Sequence, residues 1–201
     1  MKLRSTAPKL VQALLFPEAC VLCDRWVVNN DLSPLCCRCL NSLKPLGPPF
    51  CEVCGIPVPG DVLGHFPICS SCRAGKAEFD LARAWGLYEG SLRHVIREFK
   101  FRGRRRLGAP LAGLLGKSYE RFEHSFEYII PVPSHRARVK ARGFDQIRVL
   151  AKRLSCDAGV AIFDGLSRIR NTKPQFGLPL GERSRNVKGA FRLKQPGALE
   201  N

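Results

Sequence analysis

The stretch YIIPVPSHRARVKARGFDQIRVLAKRL, residues 128–154, joins an apolar run, a basic segment and an amphipathic pattern without interruption. Ile129, Ile130 and Val132 predict a short buried strand, which two prolines end. From Phe144 onward, apolar residues recur at helical spacing and predict a helix with one apolar face. This stretch therefore predicts a strand, a basic loop and a helix, in that order.

The basic segment between this strand and this helix contains no acidic residue. A loop that leads into a helix N-terminus can hold an anion, because backbone N–H groups and the helix dipole add to the charge of the side chains. A solvated charged loop is the alternative that a run of charges allows. The four basic residues are Arg136, Arg138, Lys140 and Arg142.

The chain has 201 residues and a net charge of +16, from 33 basic and 17 acidic residues. Residues 76–201 carry +14 of that charge, with 26 basic and 12 acidic residues. An excess of this size favours polyanionic partners, such as nucleic acid or phosphate-bearing small molecules. No run approaches the roughly eighteen apolar residues of a membrane-spanning helix, so we expect no membrane insertion.

Nine of the ten cysteines lie between residues 20 and 72, and eight of them form four C-x-x-C pairs. Each pair can present two thiolates from one tight turn, so two pairs complete a tetrahedral zinc site. Four sulfur ligands leave no open coordination position, which predicts two structural Zn2+ ions and no catalytic metal. Such thiolate sites favour a cytoplasmic protein, because thiols stay reduced there. The predicted ligands are Cys20, Cys23, Cys36, Cys39, Cys51, Cys54, Cys69 and Cys72.

The cysteine-rich segment leaves two choices open. The pairs could be used sequentially along the chain, which the PLGPP separator at residues 45–49 favours, or they could be interleaved. Cys37 could replace Cys36 as a ligand, although only Cys36 keeps the two-residue spacing to Cys39. We interpret His65, between the third and fourth pairs, as a spacer because four cysteines are already present for each ion.

Cysteine content and charge both change near residue 76. This change predicts an N-terminal helix and double zinc ribbon over residues 1–76 and a second domain over residues 77–201. Strand and helix patterns alternate in the second domain, which predicts an α/β fold with a mostly parallel sheet. The predicted elements are a helix over 8–16, a strand over 81–90, helices over 92–99 and 111–122, and a strand over 160–163.

A second basic segment combines charge with aromatic residues. Phe99 and Phe101 alternate with basic residues. A surface for single-stranded nucleic acid needs aromatic rings for base stacking and cations for phosphate neutralisation, so this pattern suits such a surface. The alternative is that both phenylalanines belong to the core and the arginines only solvate a helix end. The candidate nucleic-acid-binding residues are Lys100, Arg102, Arg104, Arg105 and Arg106.

Four blocks of the sequence together resemble the ComF (competence protein F) family, which combines zinc ribbons with a type I phosphoribosyltransferase-like domain. The resemblance covers essentially the whole chain, and it implies that residues 77–201 form a phosphoribosyltransferase-like, mostly parallel α/β domain. The blocks are the cysteine pairs after LLFPEAC, FKFRG at 99–103, PVPSHRARVKARGFDQ at 131–146 and RIRNTKPQFGLPLGERSRNVKGAF at 168–191.

The resemblance also implies binding of phosphoribosyl pyrophosphate, usually with Mg2+, at the C-terminal ends of the strands. Residues 131–143 would face the pyrophosphate, and Asp145 stands where the family pattern has Asn. A long mobile loop would cover the substrate, and it matches Arg168, Thr172, Gln175, Arg183 and Asn186. The implied substrate-binding residues are Arg138, Arg142, Gln146, Arg168 and Arg183.

The two adjacent acids and the Thr-Thr-Gly-x-Thr loop of phosphoribosyltransferases do not occur in these 201 residues. We therefore expect a truncated, incomplete copy of the domain with impaired transferase activity, and its catalytic residues stay unknown. The family's association with DNA uptake and natural transformation implies contact with single-stranded DNA and DNA-uptake proteins. A non-catalytic zinc-ribbon module that binds nucleic acid, or an inactive remnant, is the alternative.

Overall fold

The computed structural model describes five stretches of the chain, residues 18–27, 34–59, 67–75, 77–122 and 126–195. The chain forms two compact units, which are described separately. The first unit comprises residues 1–96 and 113–124, and the second comprises residues 97–112 and 125–201. The domain boundary at residue 76 stays a prediction.

The first unit begins with a short antiparallel pair of strands. Two very short helices follow, and each begins directly after a cysteine, Cys36 or Cys69. The helix predicted over 92–99 is confirmed within a longer helix, whereas the helix predicted over 8–16 and His65 lie outside the described residues. The elements are β1 Glu18–Ala19, β2 Trp26–Val27, α1 Cys37–Asn41, α2 Ser70–Arg73, α3 Gly90–Phe101 and α4 Gly108–Tyr119, of which α3 and α4 extend into the second unit.

The strand predicted over residues 81–90 is wrong, because the chain there has no strand partner. The N–H of Ala82 donates to Val53 O at 2.7 Å, and the N–H of Leu46 donates to Trp85 O at 2.7 Å. Isolated hydrogen bonds to two separate segments cannot build a ladder, which needs one partner strand in register. The segment instead packs along the cysteine-rich part of the first unit.

The second unit contains a small parallel sheet in which Ile129 of one strand lies opposite Ile162 of the other. Two helices connect these strands, as a parallel pair requires. The strand predicted over 160–163 is thereby confirmed, and so is the α/β class. The elements are the 3-10 helix Arg105–Leu107, β3 Tyr128–Ile129, α5 Arg136–Arg142, α6 Gln146–Ala158, β4 Ala161–Ile162, β5 Leu166–Arg168, α7 Leu180–Val187 and β6 Phe191–Leu193.

The described residues form three two-stranded sheets, and only the β3–β4 pair is parallel. The described residues therefore contain a parallel sheet of only two strands, which is smaller than the mostly parallel sheet that the sequence predicts. None of the helices in the described stretches combines the length and the apolar content that crossing a membrane requires.

The core of the second unit forms where the end of α3 and the start of α4 pack on α6. Phe99 is buried, and its ring centroid lies 5.5 Å from that of Phe144. A Cβ added at Gly108 would lie 2.5 Å from Val149 Cγ1, so the glycine permits the close approach of α4 to α6. Leu154 is also buried, which confirms the predicted apolar face of α6.

Residues 136–142 form a helix, so the predicted basic loop is wrong. The run Arg-Ala-Arg-Val-Lys-Ala-Arg contains no helix breaker, and Gly143, with a φ of 79°, ends the helix in the left-handed conformation. Residues four apart on a helix lie on the same face. Arg138 and Arg142 therefore project from one side of α5.

Strand β3 is shorter and less buried than predicted. It ends at Ile129, and the exposed fractions of Ile130 and Val132 beyond it are 43% and 59%. Pro131 and Pro133 lack the N–H groups that would extend the ladder. The apolar run is therefore strand only at its start.

Strands β5 and β6 form an antiparallel hairpin with a long connection. Arg168 lies opposite Phe191, and beyond this pair the N–H of Ile169 donates to Ala190 O at 2.9 Å. Residues 169–190 connect the strands and include α7. The segment that the resemblance predicts as a long mobile loop thus contains a regular helix.

Candidate metal centres and candidate anion pocket

The eight predicted cysteines form two sites of four. In each site the Sγ atoms all lie within 4.8 Å of one another. The grouping is sequential along the chain, and it includes Cys36, whereas Cys37 is exposed and lies outside it. The first site consists of Cys20, Cys23, Cys36 and Cys39, and the second of Cys51, Cys54, Cys69 and Cys72.

The spacing of the sulfur atoms fits tetrahedral zinc. Cys23 Sγ lies 3.8 Å from Cys36 Sγ, and Cys54 Sγ lies 3.7 Å from Cys69 Sγ. A Zn–S distance of about 2.3 Å in tetrahedral geometry places two sulfurs about 3.8 Å apart. The two sites are therefore consistent with two structural Zn2+ ions.

Both sites begin with the same backbone turn. The N–H of Asp24 donates to Cys20 O, and the N–H of Gly55 donates to Cys51 O, each at 2.9 Å. Asp24 has a φ of 55° and Gly55 a φ of 69°, both in the left-handed region. At Gly55 an added Cβ would also lie 2.8 Å from Ala82 O, so the second site requires glycine for both conformation and space.

Hydrogen bonds prepare the first thiol of each site for a metal ion. The N–H of Cys36 donates to Cys20 Sγ at 3.4 Å, and the N–H of Cys69 donates to Cys51 Sγ at 3.3 Å. Burial raises the pKa of both thiols, but hydrogen bonds outweigh it, and the pKa falls to about 7 for Cys20 and about 6 for Cys51. Burial, the neighbouring thiols and the charge of Cys51 raise the pKa of Cys72 to about 12. A divalent cation would relieve this repulsion, since thiolates bind metal in the deprotonated form.

Three of the predicted substrate-binding arginines come together in the second unit. Arg138 donates a hydrogen bond to Thr172 O, and Arg168 donates one to Thr172 Oγ1. Burial and the charge of Arg138 lower the pKa of Arg142 and that of Arg168. Arg138 therefore lies within electrostatic reach of both other guanidinium groups, and we call Arg138, Arg142 and Arg168 the arginine cluster.

The arginine cluster has hydrogen-bond donors that the protein does not use. Arg168 Nε is buried without a partner. The Arg142 guanidinium lies 5.8 Å from the centroid of the Phe101 ring and donates no hydrogen bond within the described residues. No carboxylate in the described part of the chain forms an ion pair with these three arginines. Unpaired guanidinium groups of this kind suit a phosphate or a diphosphate.

Comparison with known proteins identifies a domain model for the zinc ribbons and relatives over most of the chain. Residues 11–73 match the family model described as a double zinc ribbon domain. The chain is 28% identical to Competence protein F of Haemophilus influenzae over 184 residues, which cover 89% of this chain and 77% of that protein. It is 28% identical over 193 residues to the DNA utilization protein YhgH of Salmonella typhi, covering 91% of this chain and 81% of that protein. The chain resembles the ComF family over most of its length.

A further relative, the DNA utilization protein YhgH of Salmonella typhimurium, is 29% identical over 184 residues, which cover 74% of this chain and 79% of that protein. No solved structure matches this chain. The phosphoribosyltransferase-like character of residues 77–201 therefore stays a prediction.

Two further residues of the ComF pattern lie at the start of α6. Gln146 is buried, and its Oε1 atom has no hydrogen-bond partner. Asp145 Oδ1 accepts hydrogen bonds from the N–H groups of Ile147 and Arg148, at 3.1 and 3.2 Å. The helix N-terminus that we expected to attract an anion is therefore already capped by a carboxylate.

The residues matched to the predicted long mobile loop, which would cover the substrate, fall into two sets. Asn186 Nδ2 donates to Gln175 Oε1 at 3.0 Å, and Gln175 Nε2 donates to Arg183 O at 3.3 Å. These three residues bind one another, whereas Arg168 and Thr172 belong to the arginine cluster. No hydrogen bond within the described chain joins Arg183 to that cluster.

The predicted nucleic-acid-binding segment is divided between core and surface. Phe99 belongs to the core, but 67% of Phe101 is exposed. Arg102 Nε and Arg104 Nε lie 3.8 and 3.4 Å from the carboxylate oxygens of Glu98, so part of the positive charge is compensated. Lys100 is half-buried, and Arg105 and Arg106 are exposed.

Two features of this segment escaped the sequence interpretation. Glu98 stands four residues before Arg102, a spacing that brings side chains together on a helix and could have revealed the ion pair. The contact between Arg142 and Phe101 places the segment beside the arginine cluster. Since these residues are far apart in the sequence, no local pattern indicates this contact.

Proposed function

We propose that this chain is a ComF-family protein that acts in DNA utilization and that its arginine cluster binds the diphosphate of phosphoribosyl pyrophosphate. The names of the relatives, Competence protein F and DNA utilization protein, support the first part. The match of Arg138 and Arg142 to the ComF pattern supports the second. A cytoplasmic location accords with eight cysteines held as free thiols in metal-binding geometry.

The observation that carries the ligand proposal is the gathering of three guanidinium groups that form no ion pair with a carboxylate in the described residues, although the charge of Asp145 acts on Arg142. Arg138 and Arg168 converge on the buried Thr172 from different elements, and Arg142 lies on the same face of α5 as Arg138. Like charges held together in a partly buried place repel one another until an anion binds. A diphosphate provides several acceptor oxygens for such a group of donors, and Mg2+ would accompany it.

We propose that the chain binds phosphoribosyl pyrophosphate, but we do not propose that it transfers the phosphoribosyl group. The acid pair and the Thr-Thr-Gly loop that would hold the ribose hydroxyls, the metal and the 5′-phosphate are not among these 201 residues. The side of the site that this sequence contains is the diphosphate side.

Calorimetric titration tests the ligand. Phosphoribosyl pyrophosphate with Mg2+ is expected to bind saturably, and inorganic pyrophosphate is expected to retain much of that affinity. Ribose 5-phosphate, which lacks the diphosphate, should bind more weakly. Absence of binding by both phosphoribosyl pyrophosphate and pyrophosphate would contradict the proposal.

Single-stranded DNA is a second candidate ligand, favoured by the exposed Phe101 beside the arginines of the 3-10 helix. A ring can stack on a base while neighbouring cations contact phosphates. Contact with DNA-uptake proteins would follow from the same role.

Fluorescence anisotropy with a labelled single strand tests this candidate. Replacing Arg102 and Arg105 by glutamine should weaken binding and reduce the slope of log K against log salt by about 0.7 per lost phosphate contact. The matched control replaces Arg93 and Arg97, which are exposed on α3. Equal effects of the two double variants would remove the segment from the DNA surface.

A further inference from the structure

The most exposed large apolar side chain in the described stretches is Phe176, at 94%. It lies in residues 169–190, the connection of the β5–β6 hairpin, which we call the hairpin insert. A single exposed apolar residue is ordinary on a protein surface. Two further features distinguish the Phe176 ring: hydrogen bonds support the backbone that presents it, and basic residues surround it in the sequence.

Hydrogen bonds brace the hairpin insert on both sides of the ring. Asn186 Nδ2 donates to Lys173 O at 3.0 Å, before the ring in sequence, as well as to the side chain of Gln175. Arg183 Nε donates to Leu178 O at 3.1 Å, after the ring. The segment from residue 173 to residue 178 is thus fastened to α7, and the aromatic side chain is presented from a supported backbone.

The far end of α7 is fastened in a similar way. Arg170 donates hydrogen bonds to Asn186 O, at 3.1 Å, and to Lys188 O. These carbonyl groups lie at the end of the helix, where they lack partners within it. Arg170 is therefore engaged in bracing the insert, whereas the side chains of Lys173 and Arg185 form no ion pair in the described residues.

Charge is concentrated in the hairpin and its insert. Residues 166–195 contain eight basic residues and one acidic residue, Glu182, so these 30 residues hold +7 of the net charge of +16. A polyanion is the partner that this excess favours. An exposed ring beside such charge adds the capacity to stack on an unpaired base.

We propose that the hairpin insert binds single-stranded nucleic acid, with Phe176 stacking on a base and Lys173 and Arg185 contacting phosphates. This site is separate in sequence from the segment at residues 100–106, and it rests on the proposed role in DNA utilization. A membrane surface is disfavoured because α7 carries Glu-Arg-Ser-Arg-Asn over residues 182–186 and has no continuous apolar face. Duplex nucleic acid is disfavoured because its base faces are already stacked.

Anisotropy with the zinc-loaded full chain and a labelled single strand of about 20 nucleotides tests the proposal. Phe176→Ala is expected to lower affinity roughly 5- to 150-fold, the range that loss of one base–aromatic stack gives. Phe176→Trp should retain affinity, and Phe176→Leu should lose it because leucine is apolar but has no ring. The matched control is Phe79→Ala, at a ring that is 48% exposed and lies between Glu78 and Asp80.

The charged residues provide a second measurement. Replacing Lys173 and Arg185 by glutamine should reduce the slope of log K against log salt by about 1.4, at about 0.7 for each lost phosphate contact. The same double variant should keep the unfolding midpoint of the natural chain, because neither side chain has a hydrogen-bond or ion-pair partner among the described residues.

The outcomes separate this inference from the proposed DNA role. If the natural chain binds no single strand, the DNA role fails and this inference fails with it. If the natural chain binds, and Phe176→Ala behaves like Phe79→Ala, only the hairpin insert is removed from the surface. Full affinity in Phe176→Leu would also overturn the inference, because stacking would then play no part.

Discussion

The tetracysteine sites and the arginine cluster each bring groups of like charge together, but the sign of the charge is opposite in the two kinds of site. Each tetracysteine site gathers four groups that become negative, and the arginine cluster gathers three that are positive. Neither arrangement is stable by itself, because like charges in a partly buried place repel one another. The tetracysteine sites are consistent with Zn2+ as the counterion, and a phosphate-bearing anion is the counterion that we propose for the arginine cluster.

The two kinds of site differ in how the chain builds them. In each tetracysteine site the ligands come in pairs three residues apart, and one turn positions both. In the arginine cluster two members lie on α5, but Arg168 lies on β5 and meets them through Thr172. We infer that local turns maintain the metal sites, whereas distant contacts maintain the anion site.

The largest expected effect follows from removing one zinc ligand. Structural Zn2+ contributes about 10–16 kcal/mol of apparent binding free energy in small zinc-finger peptides. Cys36→Ser should therefore lower the zinc content from two ions to one per chain by elemental analysis and unfold the first ribbon. Cys37→Ser, one residue away and outside the site, should keep both ions. Two ions in Cys36→Ser, or one in Cys37→Ser, would contradict the assignment.

A smaller effect is expected from the turn of the second zinc site. Gly55→Ala places a Cβ in the left-handed region and 2.8 Å from Ala82 O, whereas Gly75→Ala, with a φ of 66°, meets nothing within 4 Å. The conformational penalty of about 1–2 kcal/mol applies to both variants, and the steric clash applies only to the first. Denaturant unfolding of the zinc-loaded chain should show the larger loss for Gly55→Ala. Equal losses would show that Ala82 does not restrict the turn.

The arginine cluster should respond to loss of its distant contact. Thr172→Val keeps the shape of a side chain that is 7% exposed but removes the oxygen that accepts from Arg168. The partly buried guanidinium of Arg168, whose buried Nε already lacks a partner, then loses another, at a cost of about 1–3 kcal/mol in the free energy of unfolding. Thr172→Ser keeps the hydroxyl and should lie closer to the natural chain. If Thr172→Val leaves the free energy of unfolding unchanged, the contact between Arg168 and Thr172 does not maintain the cluster.

The same difference explains what the sequence could predict. The eight cysteines and their sequential use follow from spacing, because each pair acts within one turn. Arg138, Arg142 and Arg168 were named through a family resemblance, but no local pattern shows that they meet at Thr172 or that Arg142 contacts Phe101. These contacts depend on how α5, β5 and α3 pack.

The wrong predictions concern segments whose local sequence pattern allows more than one structure. Tertiary contacts decide which structure forms. Residues 136–142 were interpreted as a loop because of their charge, although they contain no breaker and Gly143 suits a helix end. Residues 81–90 alternate like a strand, but they find hydrogen bonds to two separate segments instead of one partner. Asp145, which stands where the family pattern has Asn, caps α6, and its charge also acts on Arg142.

The central claim is that the arginine cluster is an anion site, and calorimetry with inorganic pyrophosphate tests it most directly. Arg142→Gln removes a guanidinium that makes no hydrogen bond in the described chain, so the fold should tolerate it. Arg148→Gln is the control, because Arg148 pairs with Asp164 at 2.7 Å. A charge-assisted hydrogen bond of about 1.5–3 kcal/mol predicts that Arg142→Gln weakens binding roughly 10- to 150-fold and that Arg148→Gln leaves it nearly unchanged. Unchanged affinity in Arg142→Gln, or an equal loss in Arg148→Gln, would contradict the claim.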